Sequence, residues 1–159
     1  MIEVFCSVEN GNGIGFGNQR PWHFQQEIQR LYAVSEGKRI VMGRRAFASY
    51  RDRFIANRQC LVVSSKLPDV HDQNTSSRTN VGVQEVLDLS LTSDSVVIGG
   101  AQTIDTFLLY ADKVTLLRIA RDYDCCTVFL PPLAGWVKTQ SVRIPCHHDT
   151  LLEETWLRA

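Results

Sequence analysis

The sequence predicts an α/β fold: a mixed, mostly parallel sheet of about eight strands with flanking helices on both faces and an antiparallel hairpin near the end of the chain. Three observations lead to it. Apolar runs rich in β-branched residues alternate with amphipathic stretches as far as about residue 110, the order that a parallel sheet with crossover helices produces. Beyond that point strand patterns follow one another with no helix between them. The 159 residues also fall well short of the roughly 250 at which chains divide into separate cores, so residues 1–159 are expected to form a single domain.

Taken in order, Ile2 to Val8 reads as a buried first strand, followed by a loop in which Gly11, Gly13, Gly15 and Gly17 alternate with other residues. This is not the G-x-G-x-x-G dinucleotide pattern, and it suits either a flexible surface loop or a mobile lid over a site. A helix is expected from about Phe24 to Ser35, with Pro21 before it and Gly37 just past its end. Its apolar stripe is Phe24, Ile28, Leu31 and Tyr32. Glu27, three residues after Phe24 and four before Leu31, falls on the edge of that stripe, an unusual place for a carboxyl group.

Three strands then end in residues suited to an anion. Arg39 to Met42 runs into Gly43-Arg44-Arg45, Cys60 to Val63 into Ser64-Ser65-Lys66, and Ser95 to Ile98 into Gly99-Gly100. In open α/β sheets ligands sit outside the carboxyl ends of the strands, so three such ends would line one crevice if the strands are parallel neighbours. A helix from about Gln102 to Leu109 would aim its free N–H groups at that crevice, and the bare glycines would let a phosphate approach closely. Between Lys66 and Val81 the chain, with Pro68, Asp69, Asn74, Ser76 and Ser77, reads as a long polar loop, and Val83 to Leu89 as a short helix. Lys113 to Ala120, Trp136 to Ile144 and Thr150 to Leu157 read as three further strands, the last two forming the hairpin.

Composition narrows the function. With 17 basic and 17 acidic side chains there is no basic footprint for nucleic acid, so any anion site must be local. No apolar run approaches the roughly 20 residues that span a bilayer, and Glu3 interrupts the apolar stretch near the start; a cytoplasmic protein without a membrane partner is expected. The five cysteines (Cys6, Cys60, Cys125, Cys126, Cys146) show no Cys-x-x-Cys spacing, so neither a disulfide framework nor a zinc site is expected. Cys146-His147-His148 has ligand-type residues, but neighbours in an extended segment point to opposite faces, and no metal is expected there.

Four segments together resemble a known family. Gly13-Ile14-Gly15, Pro21-Trp22 with Glu27 five residues after the tryptophan, Val41-Met42-Gly43-Arg44-Arg45, and Val97-Ile98-Gly99-Gly100 stand in the order and spacing of dihydrofolate reductase, and the resemblance covers essentially the whole chain. It implies an eight-stranded mixed sheet, the cofactor NADPH along the strand ends, and a pteridine pocket beneath the helix that carries Glu27. By this resemblance Glu27 holds the pteridine ring and promotes protonation of its N5, with Trp22 beside it. Ile14 belongs to the lid over the nicotinamide. Gly43, Arg44, Arg45, Ser64 and Ser65 receive the 2′-phosphate and neighbouring phosphates, and Gly99, Gly100, Ala101 and Gln102 complete the cofactor site, the glycine pair being joined by a cis peptide. Phe5, Cys6, Leu31, Phe54, Ile55 and Ile98 wall the folate pocket, and Arg58 holds the glutamate carboxylate of folate. The implied substrate is dihydrofolate, and nothing requires more than a monomer.

The chain also departs from the family pattern. Ala46 stands where a threonine is usual, Ile104 where a tyrosine or phenylalanine is usual, Leu117 where a threonine would link the carboxylate to the pteridine amino group, and Cys126 where an acid precedes the threonine matched by Thr127. These losses keep two alternatives open: a same-fold reductase of another pteridine or a pyrimidine, and a non-catalytic paralogue that binds NADPH or a pteridine.

Overall fold

The structure is a computed structural model; it describes the chain apart from residues 18, 51–56, 66–70, 73–76 and 148, and only the backbone at 50, 71 and 72. The first strand, β1 (Ile2–Val8), is buried along its whole length. Its alternate residues face opposite ways: Ile2, Val4, Cys6 and Val8 enter one apolar cluster, and Phe5 enters the other. A continuous apolar run is what a strand covered on both faces requires.

The elements that follow are β2 (Gly13–Gly15), α1 (Gln25–Val34), β3 (Arg39–Gly43), α2 (Arg44–Tyr50), β4 (Cys60–Val63), β5 (His71–Asp72) and β6 (Ser77–Val81). After them come α3 (Val83–Leu89), β7 (Ser95–Gly99), α4 (Ala101–Leu108), β8 (Lys113–Ile119), β9 (Val128–Phe129), β10 (Trp136–Ile144) and β11 (Leu151–Arg158). The main sheet has the order β10-β11-β8-β1-β7-β3-β4-β6-β5, and β2 and β9 form a separate two-stranded ribbon. Strands β8, β1, β7, β3, β4 and β6 run parallel, whereas β11 and β10 add antiparallel at one edge and the two-residue β5 at the other.

The expected mixed, mostly parallel sheet is therefore present, lengthened beyond eight strands by β5. Helices α3 and α4 cover one face through Val86, Ile104, Phe107 and Leu108. Helix α1 covers the other through Leu31, with Phe24, Ile28, and Ala46 and Phe47 of α2 packed beside it. Helix α1 begins after Phe24 and ends at Ser35, whose N–H donates to the Leu31 carbonyl; Gly37 follows with φ of 72°, a conformation glycine adopts without strain.

Two expectations need correction. The segment 66–81 is not loop to its end, because Ser77–Val81 forms β6 and pairs in parallel with β4. Its sequence, Ser-Arg-Thr-Asn-Val, lacks an apolar alternation, and the strand is held by backbone pairing with β4 and by Val81, which enters the core. Arg44 and Arg45 do not merely end a strand either. They start α2 directly after β3, with no turn between. Phe54 and Ile55, together with Lys66, Pro68, Asp69, Asn74, Ser76 and His148, lie outside the described residues.

Candidate active site

Because β7, β3 and β4 are parallel neighbours, their carboxyl ends open on one side of the sheet, and a cavity of about 690 Å³ runs along them. That volume suits a small-molecule site. The carboxyl ends of the three strands and the residues that follow them all line it: Gly43 at the end of β3 with Arg44 and Arg45 at the start of α2, Ser64 and Ser65 after β4, and Gly99 at the end of β7 with Gly100 after it. The Gly99–Gly100 peptide is cis, as expected. Gly100 precedes α4 with no side-chain cap, so the N–H groups of Ala101, Gln102 and Thr103 are left to face the cavity they line. A Cβ on Gly43 would meet Thr103 Oγ1 at 2.5 Å, so only a bare backbone lets β3 pass so close to the start of α4. A Cβ on Gly100 would meet nothing within 4 Å, which leaves open space beside the helix start. Free N–H groups, an open glycine and two guanidinium-bearing side chains make a cradle for an anion with several phosphate oxygens.

The other end of the cavity is built by β1, α1 and the segment after β2. Phe5, Cys6, Leu31 and Ile98 supply its apolar wall, and Ile14 of β2 lines it as well. Burial pushes the Cys6 thiol up to about 12, with the Arg20 charge opposing, so Cys6 acts as an apolar neutral group. Glu27 is buried at 6% exposure and is the single carboxylate among the described residues that line the cavity. The guanidinium of Arg20 pairs with it.

Trp22 is buried beside this end without lining the cavity; its indole N–H donates to Ser7 Oγ at 3.1 Å, and its ring lies 5.1 Å from that of Tyr123. Leu117, opposite Ser7 in register, is fully buried in the same cluster as Phe5, Trp22 and Leu31. Arg58 does not reach the cavity lining. It donates to Ser35 Oγ and the Tyr32 carbonyl, both at 3.1 Å, and stacks over the Tyr32 ring at the end of α1.

Sequence reasoning missed Arg20 and Glu9. Arg20 sits in a polar loop with no periodicity, and only its place just before Pro21-Trp22 set it apart. Glu9 left a clearer signal, an acid directly after an unbroken buried strand. No cluster of three or more His, Cys, Asp or Glu side chains among the described residues is arranged to hold a metal. No helix among them is long and apolar enough to cross a membrane.

A family model described as dihydrofolate reductase matches residues 1–150. The chain belongs to the dihydrofolate reductase family. Among its relatives, dihydrofolate reductase type 3 of Salmonella typhimurium is 30% identical over 137 residues, which cover 86% of this chain and 83% of that one. Dihydrofolate reductase of Ureaplasma parvum is 29% identical over 127 residues, covering 80% and 79% of the two chains. Among solved structures, a dihydrofolate reductase from Enterococcus faecalis complexed with NADP(H) and RAB-propyl superposes with a TM-score of 0.85 at 20% identity, covering 99% of this chain and 96% of that one. At that identity the superposition establishes the dihydrofolate reductase fold.

Proposed function

We propose that this chain catalyses the NADPH-dependent reduction of 7,8-dihydrofolate to tetrahydrofolate. The observation that carries the reading is a single cavity with a phosphate cradle at one end and one buried carboxylate, Glu27, at the other. A long dinucleotide and a flat heterocycle would meet between them. Relatives named dihydrofolate reductase over most of both chains support the substrate, and the NADP(H) bound by the Enterococcus faecalis protein supports the cofactor.

Bound NADPH would supply the hydride, which goes to C6 of dihydrofolate while N5 gains a proton. The chain's own residues bind and orient. Arg44, Arg45, Ser64 and Ser65 would hold the 2′-phosphate, and the N–H groups at Ala101 and Gln102 the pyrophosphate, with Gly43, Gly99 and Gly100 leaving room. Ile14 would cover the nicotinamide and exclude water.

Phe5, Cys6, Leu31 and Ile98 would sandwich the pteridine, and Phe54 and Ile55 are proposed to extend that wall. Glu27 would accept hydrogen bonds from the ring's paired N–H donors, with the Arg20 guanidinium giving way to them, and so bias the ring toward protonation at N5. Trp22 would fix the floor beside it. Arg58, now folded against α1, would turn to the substrate's glutamate carboxylate. The same reading takes residues 1–159 as one catalytic unit, monomeric and cytoplasmic, with no nucleic-acid partner.

The test is the loss of reduced-nicotinamide absorbance with dihydrofolate present and absent. Turnover that needs both compounds supports the reading. The Glu27→Gln variant should bind NADPH as the parent does and reduce dihydrofolate at least a hundred times more slowly at neutral pH, on the order of a lost acid–base group. Parent-like turnover in that variant would remove Glu27 from the chemistry.

A further inference from the structure

Glu9 immediately follows β1, and at 4% exposure it is a buried acid that the proposed chemistry does not use. Its two oxygens serve two different segments. Oε1 accepts the Gly13 N–H at 2.7 Å, and Oε2 accepts the Tyr123 N–H at 3.3 Å. Its backbone is committed as well: the Glu9 N–H donates to the Gly13 carbonyl at 3.0 Å, and the Glu9 carbonyl accepts from Asn12 N–H at 3.1 Å and from the Arg118 guanidinium at 2.9 Å.

The charged and titratable groups around it are Arg118 from β8, Cys126 from the segment before β9, and Arg121 and Asp122 from the turn after β8. Asp122 is engaged by the Asn10 amide at 3.1 Å, and Arg121 stacks on Tyr123. Burial pushes the Glu9 carboxyl up, but the N–H groups of Gly11, Gly13 and Tyr123 and the Arg118 charge outweigh it, so the carboxyl lies below its ordinary value. Near neutral pH it is an anion. The fit is close: a Cβ on Gly13 would meet Cys126 Sγ at 2.7 Å and Glu9 Oε1 at 2.9 Å.

The same two segments are joined again on either side of Glu9. Thr127 N–H donates to the Gly15 carbonyl at 2.9 Å, Leu130 N–H to the Asn12 carbonyl at 2.8 Å, and β2 pairs with β9. Ile14, which lines the cavity, lies between the residues so held.

We propose that Glu9 is a positioning residue, a buried anionic latch that fastens the 10–17 segment to the 121–127 segment and thereby fixes Ile14 against the cavity. Its consequence for cofactor binding rests on the NADPH reading above, whereas the latch itself rests on the geometry.

The test uses the full chain and pairs amide hydrogen exchange, followed by mass spectrometry, with calorimetric NADPH affinity. Glu9→Gln keeps the shape but loses the charge and turns one acceptor into an NH₂ facing an N–H. Exchange in 10–17 and 121–127 should rise at least ten-fold while β7 and β8 stay protected, and NADPH should bind roughly ten-fold more weakly. Glu9→Asp, which keeps the charge on a shorter arm, should fall between the two.

Unchanged exchange in the two segments, or a rise spread evenly over the sheet, overturns the latch. Local loosening with unchanged NADPH affinity overturns its role in positioning. If Glu9→Gln does not fold, Gly13→Ala drives a methyl against the same carboxylate and should loosen the same two segments. A parent protein that does not bind NADPH at all refutes the proposed function, and the exchange data then decide the latch alone.

Discussion

Leu117→Thr puts back the residue type that, by the resemblance, would link the Glu27 carboxylate to the pteridine amino group, and the structure predicts that the exchange costs stability without improving the site. Leu117 is fully buried among Phe5, Trp22 and Leu31 and is not part of the cavity wall. Threonine has two fewer side-chain carbons, a loss of about 1.5 kcal/mol at roughly 0.8 kcal/mol per buried methylene. Its hydroxyl would enter an apolar cluster, adding about 1–3 kcal/mol if it finds no partner. The residue opposite it on β1, Ser7, already holds the Trp22 indole N–H. For a chain of this size each kcal/mol lowers Tm by about 2–4 °C, so a fall of roughly 5–18 °C is expected. Thermal unfolding monitored by circular dichroism reads this, and calorimetric titration with dihydrofolate, expected to change less than about two-fold, reads the site. A variant with unchanged Tm and dihydrofolate bound five-fold tighter or better would refute the reasoning, because the hydroxyl would then be reaching the carboxylate.

Two further outcomes follow from the charges. Arg44→Ala should weaken NADPH by about 1.5–3 kcal/mol through loss of charge-assisted hydrogen bonds to the 2′-phosphate and leave NADH nearly unchanged; equal losses for both would move the phosphate elsewhere. Acid should unfold the protein partly through Glu9 and Glu154. For Glu154, burial pushes the carboxyl up, but Arg118, the Trp156 indole N–H and Lys138 outweigh it, and both carboxyls lie below their ordinary value in the folded state. A depressed folded value means stability that is present above the ordinary carboxylate range and is lost as pH falls through the lowered one. Glu154→Gln should therefore flatten the fall of Tm with acidification, and a slope equal to the parent's would contradict this.

The long-range order of the fold was readable because seven strands carry uninterrupted or alternating apolar patterns that both faces of the sheet demand. What escaped had no such demand. β6 is polar and is shaped by its partner β4, and β2 with β9 is a ribbon of a few residues whose pairing lies in backbone contacts across more than a hundred positions. Helix α2 follows β3 without the turn residues that announce a helix. In the site, Glu27 was legible because a carboxyl on an apolar stripe violates the pattern around it, and the anion cradle because three strand ends repeated one chemistry. Arg20 breaks no local rule, and its meaning depends on which side chain lies across the cavity. The resemblance places an acid before Thr127 where Cys126 stands, yet Glu9, 114 positions before Tyr123, lies beside Cys126 in the fold, a substitution across elements that no single segment displays.

The proposed phosphate cradle is assembled from three strand ends, at 43–45, 64–65 and 99–102, that come together only when β7 has inserted between β1 and β3. Parallel neighbours of this kind are joined by long crossovers and pair late, since chain entropy is lost before their contacts form. No partly folded chain lacking that central strand can present the cradle. A ligand that fits it therefore binds the finished sheet and not its precursors, and at a hundred times its dissociation constant adds about 2.7 kcal/mol to the whole fold. Nucleotide supply would in this way govern how long the chain survives proteolysis as well as how fast it works.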